Sequence, residues 1–395
     1  MPYNQKNLSN DMKVAILTQP LGKNYGGILQ AYALQQILRS LGHEVIILNR
    51  VDNYPSLKLL IWRLASLVKS FYSKWFRRKK YIQIVSPFAR EYITDSRLIY
   101  DYSELIKFID ENINITCEIR SSNKLRKYLL KNECKVIVVG SDQVWREEYS
   151  PHITDYFGGF AKGNDGFKFL SYAASLGQNK LPISAAKSHL CGVLLKKFSA
   201  ISVREQSAVN LLKHTWGIES KLVLDPTLLL EKEYYEKLIS STVDNQNNNI
   251  FCYILDETNE KKQVIQKIAS AIGKEVNQIL LYPHHENGSS GKLTSIPLWL
   301  SGISNAEFVV TDSYHGCILS IIFNKKFIVI ANRKRGVDRF SSILELFHLE
   351  NRIIYSLDDL TESMIKDNID YLEINNIVRK FKHDSLCFLQ SALEK

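Results

Sequence analysis

The sequence predicts an α/β protein made of two Rossmann-like domains that face each other across a cleft. The first observation is length, because 395 residues are too many for one ordinary hydrophobic core and suit two domains of common size. The second is the alternation of short β-rich runs with helical periodicity, in one series before residues 226–248 and another after them. We expect an N-terminal domain over 1–228 and a C-terminal domain over 229–395, with the final helix as a candidate for packing back onto the N-terminal domain.

Composition and cysteine usage narrow the class of protein. Hydrophobic residues make up 45% and charged residues 23%, as in globular proteins. No uncharged apolar run approaches the roughly 18 residues of a membrane span, and the polar start lacks a secretory h-region. The six cysteines are scattered without a CxxC pair, which is typical of reduced thiols and not of a zinc site or disulfide framework. We therefore expect a cytoplasmic protein without a metal site.

The first strand–helix–strand unit spans residues 14–48, with a helix expected over 28–41. The turn before that helix contains Asn24, Gly26 and Gly27. Open α/β sheets build ligand sites from such turns. The turn matches neither GxGxxG nor a Walker loop, so no nucleotide is implied. A tight turn that needs glycine explains the residues as well as direct ligand contact does.

Two later strands of the first domain end in charged residues. The run 136–139 is followed by Asp142, and the run 200–203 by Arg204. Ligands bind at the carboxyl ends of parallel strands, so Arg204 lies where a cation could meet an anionic substrate. An ion pair between Arg204 and Glu205, or another neighbour, explains the arginine equally well.

The stretch 307–340 indicates a candidate anion site. A strand at 308–310 leads into a helix whose first turn holds Ser313, His315 and Gly316, with Asp312 or Ser313 as the cap. The N–H groups at such a helix end attract anions, and glycine allows a ligand to approach the backbone.

After the second strand of this unit come several cations, with Gly336 as a pivot: Arg333, Lys334, Arg335 and Arg339. Together with the histidine they indicate a phosphate or carboxylate site. A surface histidine and a solvated basic loop are the alternative explanation.

The net charge of +10 is concentrated in an insert near residues 53–90, which contains no acidic residue. Its cations are Lys58, Arg63, Lys69, Lys74, Arg77, Arg78, Lys79, Lys80 and Arg90. Its apolar residues recur at helical spacing: Leu60, Leu64, Leu67, Phe71 and Trp75. A basic amphipathic helix of this kind can lie on an anionic membrane surface. A helix packed on the core is an equal alternative, whereas nucleic-acid binding is disfavoured because no recognised module is present.

Seven phrases in order resemble the polysaccharide pyruvyl transferase family: NYGGILQAYAL, VVGSDQVW, SYAASLG, ISVRE, VLDPTLL, VVTDSYHG and RGVDRF. The resemblance covers roughly 13–354 without the basic insert, and seven phrases at plausible spacing are specific. It implies the two-domain GT-B glycosyltransferase architecture. It also implies transfer of pyruvate from phosphoenolpyruvate (PEP) to two hydroxyls of a sugar, giving a cyclic ketal. The sugar would belong to a capsule, exopolysaccharide or cell-wall glycan, often on a lipid carrier, and no cofactor is needed besides PEP as donor.

The resemblance assigns roles by matching position. His315 is the expected general acid and PEP contact, Arg204 the expected partner of a PEP carboxylate or phosphate, and Asp142 a candidate for the acceptor or for proton transfer. The remaining substrate-binding candidates are Arg333, Lys334, Arg335, Arg339, Gly316, Ser313, Asn24, Gly26 and Gly27.

Two alternatives to pyruvyl transfer stay open, because a fold does not fix a function. One is a glycosyltransferase that uses a nucleotide sugar, and the other is a non-catalytic glycan- or membrane-binding relative. Some family members carry an acidic residue just after the glycine pair, where this chain has Ile28, Leu29 and Gln30. The resemblance therefore leaves the base for the acceptor hydroxyl unassigned. The expected location is the cytoplasm, with the inner face of the membrane as a candidate contact.

Overall fold

The predicted α/β fold is confirmed, and its first domain is built on a six-stranded sheet. The computed structural model describes residues 12–53, 57–76, 102–239, 249–280, 293–331 and 336–394. The strands of the first sheet are β1 (Lys13–Leu17), β2 (Glu44–Ile47), β3 (Val136–Val139), β4 (Lys168–Ala174), β5 (Ala200–Val203) and β6 (Lys221–Leu222). They lie in the order β2-β1-β3-β4-β5-β6, and every pairing is parallel. All carboxyl ends therefore meet at one edge.

The second domain has a five-stranded parallel sheet. Its strands are β7 (Ile250–Ile254), β8 (Val276–Leu280), β9 (Phe308–Thr311), β10 (Lys326–Ile330) and β11 (Ile353–Ile354), in the order β11-β10-β9-β7-β8. The sequence predicts strands at 251–255, 278–281, 308–310 and 327–330, and the observed strands β7 to β10 match them within two residues at the described ends. The two-residue β11 is too short to produce a recognisable β-rich run.

Helices connect the strands of both sheets. They are α1 (Tyr25–Ser40), α2 (Leu57–Trp75), α3 (Ser103–Asn112), α4 (Ser122–Lys131), α5 (Ala185–Leu195), α6 (Gln206–Trp216), α7 (Lys232–Ile239), α8 (Asn259–Ile272), α9 (Ile296–Asn305), α10 (Tyr314–Ile322), α11 (Asp338–Leu346), α12 (Glu362–Lys366) and α13 (Tyr371–Glu394). Among the helices in these ranges, none is long and apolar enough to cross a membrane.

The expected start of α1 at residue 28 is wrong, because the helix begins at Tyr25. The side chain of Asn24 caps it, with Oδ1 accepting a hydrogen bond from the Gly27 amide at 3.1 Å. A Cβ at Gly27 would lie 2.9 Å from Nδ2 of Asn24. The glycine pair thus belongs to the first helical turn, and Gly27 leaves room for the cap.

Ser313, and not Asp312, caps α10, since its Oγ accepts from the Gly316 amide at 3.4 Å. Asp312 instead accepts from the Leu255 amide and from Nζ of Lys261, both at 2.6 Å. This carboxylate therefore ties the end of β9 to the end of β7, while Ser313 sets the start of the helix.

The two domains share part of one hydrophobic core, to which α1 contributes most of its apolar residues. The Tyr25 ring packs 5.9 Å from the Tyr253 ring and 5.2 Å from the Trp299 ring of the second domain, measured between centroids. Its hydroxyl donates to the carbonyl oxygen of Thr294 at 2.5 Å. The start of the first helix is consequently held against the second domain.

The last helix, α13, contacts the first domain. The hydroxyl of Ser385 accepts from the Leu224 amide at 3.0 Å, and Nζ of Lys168 donates to the carbonyl oxygen of Leu393 at 2.6 Å. The chain thus connects the two sheets a second time, at its C-terminal end.

Candidate active site

Four buried charged or titratable side chains from both domains meet at the carboxyl edges of the two sheets. Asp142 follows β3, Arg204 follows β5 and Asp225 follows β6, all in the first domain. His315 lies in the first turn of α10, in the second domain. The sequence argument placed Asp142, Arg204 and His315 at strand ends, and the structure brings these three together.

Arg204 joins two carboxylates at the centre of this cluster. One terminal nitrogen lies 2.6 Å from Oδ2 of Asp225, and the other lies 2.7 Å from Oδ1 of Asp142. Its Nε lies 3.9 Å from Oε2 of Glu205, so the ion pair considered from the sequence is the longest of the three. Buried charges persist only when paired in this way. The expected contact between Arg204 and PEP stays a prediction.

Asp142 is held in an uncommon backbone conformation, with φ +72°. L-residues seldom adopt this region, and such strain concentrates at functional sites. Its carbonyl oxygen accepts from the Ser175 amide at 3.0 Å, which ties the segment after β3 to the end of β4. Burial acts to raise the pKa of the Asp142 carboxyl, but the charges of Arg204, His315 and Arg339, with the hydrogen bond from Arg204, together lower it.

Asp225 is a site residue that the sequence argument passed over. Its Oδ1 accepts from the amide of Thr227 at 3.1 Å and from the Thr227 hydroxyl at 2.7 Å, while Oδ2 faces Arg204. Burial acts to raise the pKa of this carboxyl, and the charges of His315 and Arg204 with the Thr227 hydrogen bonds lower it overall. The available signal was the one used for Asp142, an acidic residue three positions after a strand.

His315 crosses from the second domain to the start of α1. A Cβ at Gly26 would overlap Nδ1 and Cγ of the imidazole and lie 2.8 Å from Cε1. On the opposite side, Nε2 lies 3.8 Å from Oδ2 of Asp225 and has no hydrogen-bond partner among the described residues. Burial lowers the pKa of His315, although the charges of Asp225 and Asp142 oppose this. The imidazole is therefore mainly neutral at pH 7.

Glu205 is a second site residue that the sequence argument did not assign. Its Oε1 accepts from the Ser175 hydroxyl at 2.8 Å and from the amides of Leu176 and Gly177 at 2.8 and 3.0 Å. These bonds fix the segment after β4, which lies beside the cluster. Its Oε2 has no hydrogen-bond partner among the described residues.

The ring of Tyr314 lies between two guanidinium groups. The Cζ atom of Arg204 lies 4.6 Å from the ring centroid and that of Arg339 lies 5.3 Å from it. Both arginines are buried, so the structure brings Arg339 into the cluster from the first turn of α11. The other predicted cations, Arg333, Lys334 and Arg335, lie outside the described residues.

Two further residues named from the sequence have packing explanations. A Cβ at Gly316 would overlap Oγ1 of Thr311, so glycine is required there for α10 to approach β9. The expected ligand contact of Gly316 stays a prediction. Gln30 is buried, donates to the Thr18 hydroxyl at 2.9 Å and accepts from the Ser141 amide at 3.2 Å. It joins α1 to the segment that carries Asp142.

Gly336 places the second domain directly against the first. A Cβ at this residue would overlap the carbonyl oxygen of Gly177, and its φ is +92°. Only glycine fits both conditions without strain. In the part of the chain that the structure describes, no group of three or more His, Cys, Asp or Glu side chains is arranged to hold a metal ion.

A family model described as polysaccharide pyruvyl transferase matches residues 24–334 of this chain. That range includes the Asn24 cap, the Asp142–Arg204–Asp225 ion cluster, His315 and the basic run at 333–334. A search of curated proteins found no match.

Among solved structures, the spinosyn forosaminyltransferase SpnP aligns over 98% of this chain and 100% of its own, with 11% identity and a TM-score of 0.50. The UDP-GlcNAc 2-epimerase from Neisseria meningitidis, bound to UDP-GlcNAc, has 12% identity and a TM-score of 0.46 over 97% and 99% of the two chains. A mutant O-GlcNAc transferase of Thermobaculum terrenum has 8% identity and a TM-score of 0.47, and the alignment covers 97% of this chain and 66% of that one. The likeness to SpnP shows the fold alone and agrees with the expected GT-B-like arrangement.

Proposed function

Because this chain belongs to the polysaccharide pyruvyl transferase family, we propose that it moves the pyruvyl group of PEP onto two hydroxyls of one sugar, forming a cyclic ketal. The acceptor is a surface polysaccharide, such as a capsule or exopolysaccharide, or its lipid-linked precursor, and the reaction takes place in the cytoplasm. The observation that carries the proposal is His315, a buried imidazole between the domains whose Nε2 has no partner among the described residues.

The reaction needs a positioned acid. Carbon C3 of PEP must gain a proton before C2 can accept an alcohol, and a histidine can supply that proton. The first sugar hydroxyl then forms a bond to C2, the C2–O bond to phosphate breaks, and the second hydroxyl closes the ketal. Of the two hydroxyl protons, one replaces the proton delivered to C3 and the other leaves with phosphate. His315 therefore delivers the proton to C3, and the proton of one sugar hydroxyl then restores the protonated imidazole.

The neutral state of His315 fits a donor-dependent acid. Burial lowers its pKa in the absence of a ligand charge. A phosphate beside the imidazole would raise that pKa, because an opposite charge favours the protonated form. His315 would then become a competent acid when PEP is bound.

The donor carries two to three negative charges, so it requires several cations. The formal charges of the described cluster are three carboxylates, Asp142, Glu205 and Asp225, against two guanidinium groups, Arg204 and Arg339. This cluster alone does not favour an anion. We assign the additional positive charge to Arg333, Lys334 and Arg335, which precede α11 in the sequence, with Arg339 as their partner at the phosphate.

Asp142 and Asp225 are the candidates for orienting the acceptor hydroxyls. Their lowered pKa values keep both carboxyls ionised at neutral pH, so they can accept hydrogen bonds from sugar hydroxyls. A low pKa makes each a weak base. We therefore assign hydroxyl positioning to this pair, and we limit any proton transfer to one from an acceptor hydroxyl to the Asp142 carboxylate.

Calorimetric titration of the purified protein with PEP tests the donor. We expect saturable binding of PEP, and phosphate release once a suitable acceptor from a panel of galactosides and mannosides is added. The variant His315→Gln should bind PEP but lower turnover by about 10²–10⁴-fold, the usual contribution of a general acid. The matched control His189→Gln changes an exposed histidine on α5 and should keep full turnover.

Near-normal turnover in His315→Gln would remove the histidine from this role. Titration with UDP-sugars addresses the glycosyltransferase alternative, for which the fold is the only support. Cleavage of a nucleotide sugar without PEP-dependent phosphate release would favour that alternative. Glycan binding without either reaction would favour a non-catalytic relative.

A further inference from the structure

Helix α2 exposes a large apolar surface. Seven hydrophobic side chains on this helix and the residue that follows it are 43–78% exposed, with Trp75 the most exposed at 78%. They are Ile61, Leu64, Val68, Phe71, Tyr72, Trp75 and Phe76. None of the described side chains of α2 belongs to the three hydrophobic clusters of the molecule. The sequence prediction of a helix in the insert is confirmed, and its described face does not pack on a core.

The exposed residues form one continuous stripe. Their spacing of three and four residues places all seven within an arc of roughly 140° around the helix. The rings of Tyr72 and Phe76 stack with centroids 5.2 Å apart, at the C-terminal end of the stripe. Soluble monomers seldom leave a contiguous apolar surface of this kind uncovered.

The charge around this stripe identifies what covers it. Between residues 53 and 90 every charged residue is positive, and Lys69 is exposed on the same helix. An apolar protein partner would not require this excess of positive charge. An anionic bilayer offers hydrocarbon for the stripe and negative headgroups for the cations. Nucleic acid would satisfy the cations but would leave most of the aliphatic residues in water.

The segment before α2 is held firmly to the first domain. Arg50 is fully buried, and its Nε donates to Oδ2 of Asp155 at 2.8 Å. The Val51 amide donates to the carbonyl oxygen of Ile119 at 3.1 Å, and the Asn49 amide to the Thr116 hydroxyl at 3.0 Å. The chain therefore leaves the sheet at the carboxyl end of β2, the edge at which the ion cluster also lies.

We propose that α2 lies flat on an anionic lipid bilayer, with its apolar stripe at the boundary between headgroups and acyl chains. The exposed Lys69, and the further cations that the sequence puts in the insert, supply the positive charge that attracts the headgroups. The anchored segment before α2 ties this contact to the first domain, next to the carboxyl end of β2. This attachment does not depend on which reaction the site performs.

Vesicle sedimentation tests the proposal. The full-length protein should sediment with vesicles of phosphatidylglycerol and phosphatidylcholine, should not sediment with phosphatidylcholine alone, and should be released progressively as salt is added. Trp75 provides a direct probe in a protein whose Trp62 and Trp216 are replaced with Phe, since the remaining tryptophans, Trp145 and Trp299, are fully buried. Its emission should shift to the blue on the anionic vesicles, and Trp75→Phe should abolish that shift.

Matched variants distinguish vesicle binding through α2 from attraction by the positive charge of the whole protein. Replacing Arg77, Arg78, Lys79 and Lys80 with Gln should lower the vesicle partition coefficient by about 10²-fold or more, at about fivefold per cation. Those four residues lie outside the described ranges, and their contribution is taken from the sequence. Val68→Ser with Phe71→Ser should weaken binding at every salt concentration. The control replaces four exposed lysines elsewhere with Gln: Lys196, Lys197, Lys213 and Lys274.

Several outcomes would overturn the proposal. The first is failure of the wild-type protein to bind anionic vesicles, and the second is unchanged vesicle binding in the α2 variants. The third is a loss of vesicle binding in the four-lysine control as large as that in the α2 variants. Preferential binding of RNA or DNA, weakened by the same α2 variants, would instead assign the helix to nucleic acid. Phosphate release from PEP with a short water-soluble acceptor should be the same in wild type and α2 variants, which distinguishes failure of this proposal from failure of the proposed reaction.

Discussion

His315 occupies a position that two domains define together. Gly26 bounds one side of its ring and Asp225 lies 3.8 Å from Nε2 on the other. Burial removes water from the imidazole, so its protonation depends on the few charges that remain nearby. A histidine in this environment responds strongly to the arrival of a phosphate.

This environment predicts different pH limits for the free enzyme and the donor complex. Since His315 must be protonated to act as an acid, kcat/KM should fall as pH rises through its free-enzyme pKa, which burial holds below the ordinary value of 6.5. The decline in kcat should come at higher pH, because bound phosphate raises the pKa. Steady-state rates measured from pH 5 to 9 give both limits, after correction for the ionisation of PEP in buffer. Coincident limits would contradict the donor-dependent acid.

Arg204 is the cation that pairs with both buried aspartates of the cluster. Arg204→Ala would leave Asp142 and Asp225 buried without their main partner, and we expect the free energy of unfolding to fall by about 3–5 kcal/mol. Urea unfolding measures the change. The control Lys213→Ala removes a surface ion pair with Glu219 and should cost about 1 kcal/mol or less. Equal stability of the two variants would show that the buried ion pairs contribute little to the free energy of unfolding. In that case a loss of PEP binding in Arg204→Ala could be assigned to a direct contact between Arg204 and PEP.

At the scale of elements, the approach of α1 to α10 sets the position of the acid. The Asn24 and Ser313 caps begin the two helices, and Gly26 lets the imidazole of the second helix contact the backbone of the first. The glycine pair thus serves both a helix start and an interface between helices from different domains.

Gly26→Ala tests this arrangement. The added methyl group overlaps the base of the imidazole, Cγ and Nδ1, which cannot move away as a flexible side-chain end could. We expect turnover to fall by about 10²-fold, the usual cost of an acid displaced by about 1 Å. Gly22→Ala is the control, because no atom of the described residues beyond its two chain neighbours lies within 4 Å of its added Cβ. Equal turnover in the two variants would contradict the positioning of His315 by Gly26.

The sequence predicted the elements better than their contacts. Apolar runs such as 136–139 and 308–310 identify buried strands, because a strand covered on both faces is apolar throughout. The same reasoning put Asp142 and His315 at strand ends. It could not connect Gly26 with His315 or Glu205 with Gly177, because those contacts depend on how separate segments fold against one another. The sequence argument assigned no role to Asp225, whose contact with Arg204 likewise depends on how separate segments fold against one another.

At the scale of the whole molecule, the site is complete only when the two domains are in contact. The Gly336 backbone meets Gly177, α1 enters the shared core, and α13 contacts the first domain again. Small changes at these contacts should therefore alter the site without touching its side chains.

Gly336→Ala tests the domain contact. The substitution combines an unfavourable φ of +92° with overlap on the Gly177 carbonyl oxygen. For the control Gly42→Ala the φ is +90°, but among the described residues none except its chain neighbours has an atom within 4 Å of the added Cβ. Both variants should lose about 1–2 kcal/mol of stability from the backbone conformation. Only Gly336→Ala should also weaken PEP binding, measured by calorimetry. Equal PEP affinity in the two variants would show that the site does not depend on this contact.

The central claim is that the protein protonates PEP at C3 and joins C2 to a sugar diol, and one measurement tests it directly. The enzyme is incubated in D₂O with PEP and the acceptor panel, and products are examined by mass spectrometry and NMR. The account predicts a sugar ketal whose methyl group carries one deuterium, one phosphate released per ketal, and loss of both signals in His315→Gln. Phosphate release without a ketal, or a glycoside formed only from a nucleotide sugar, would contradict it.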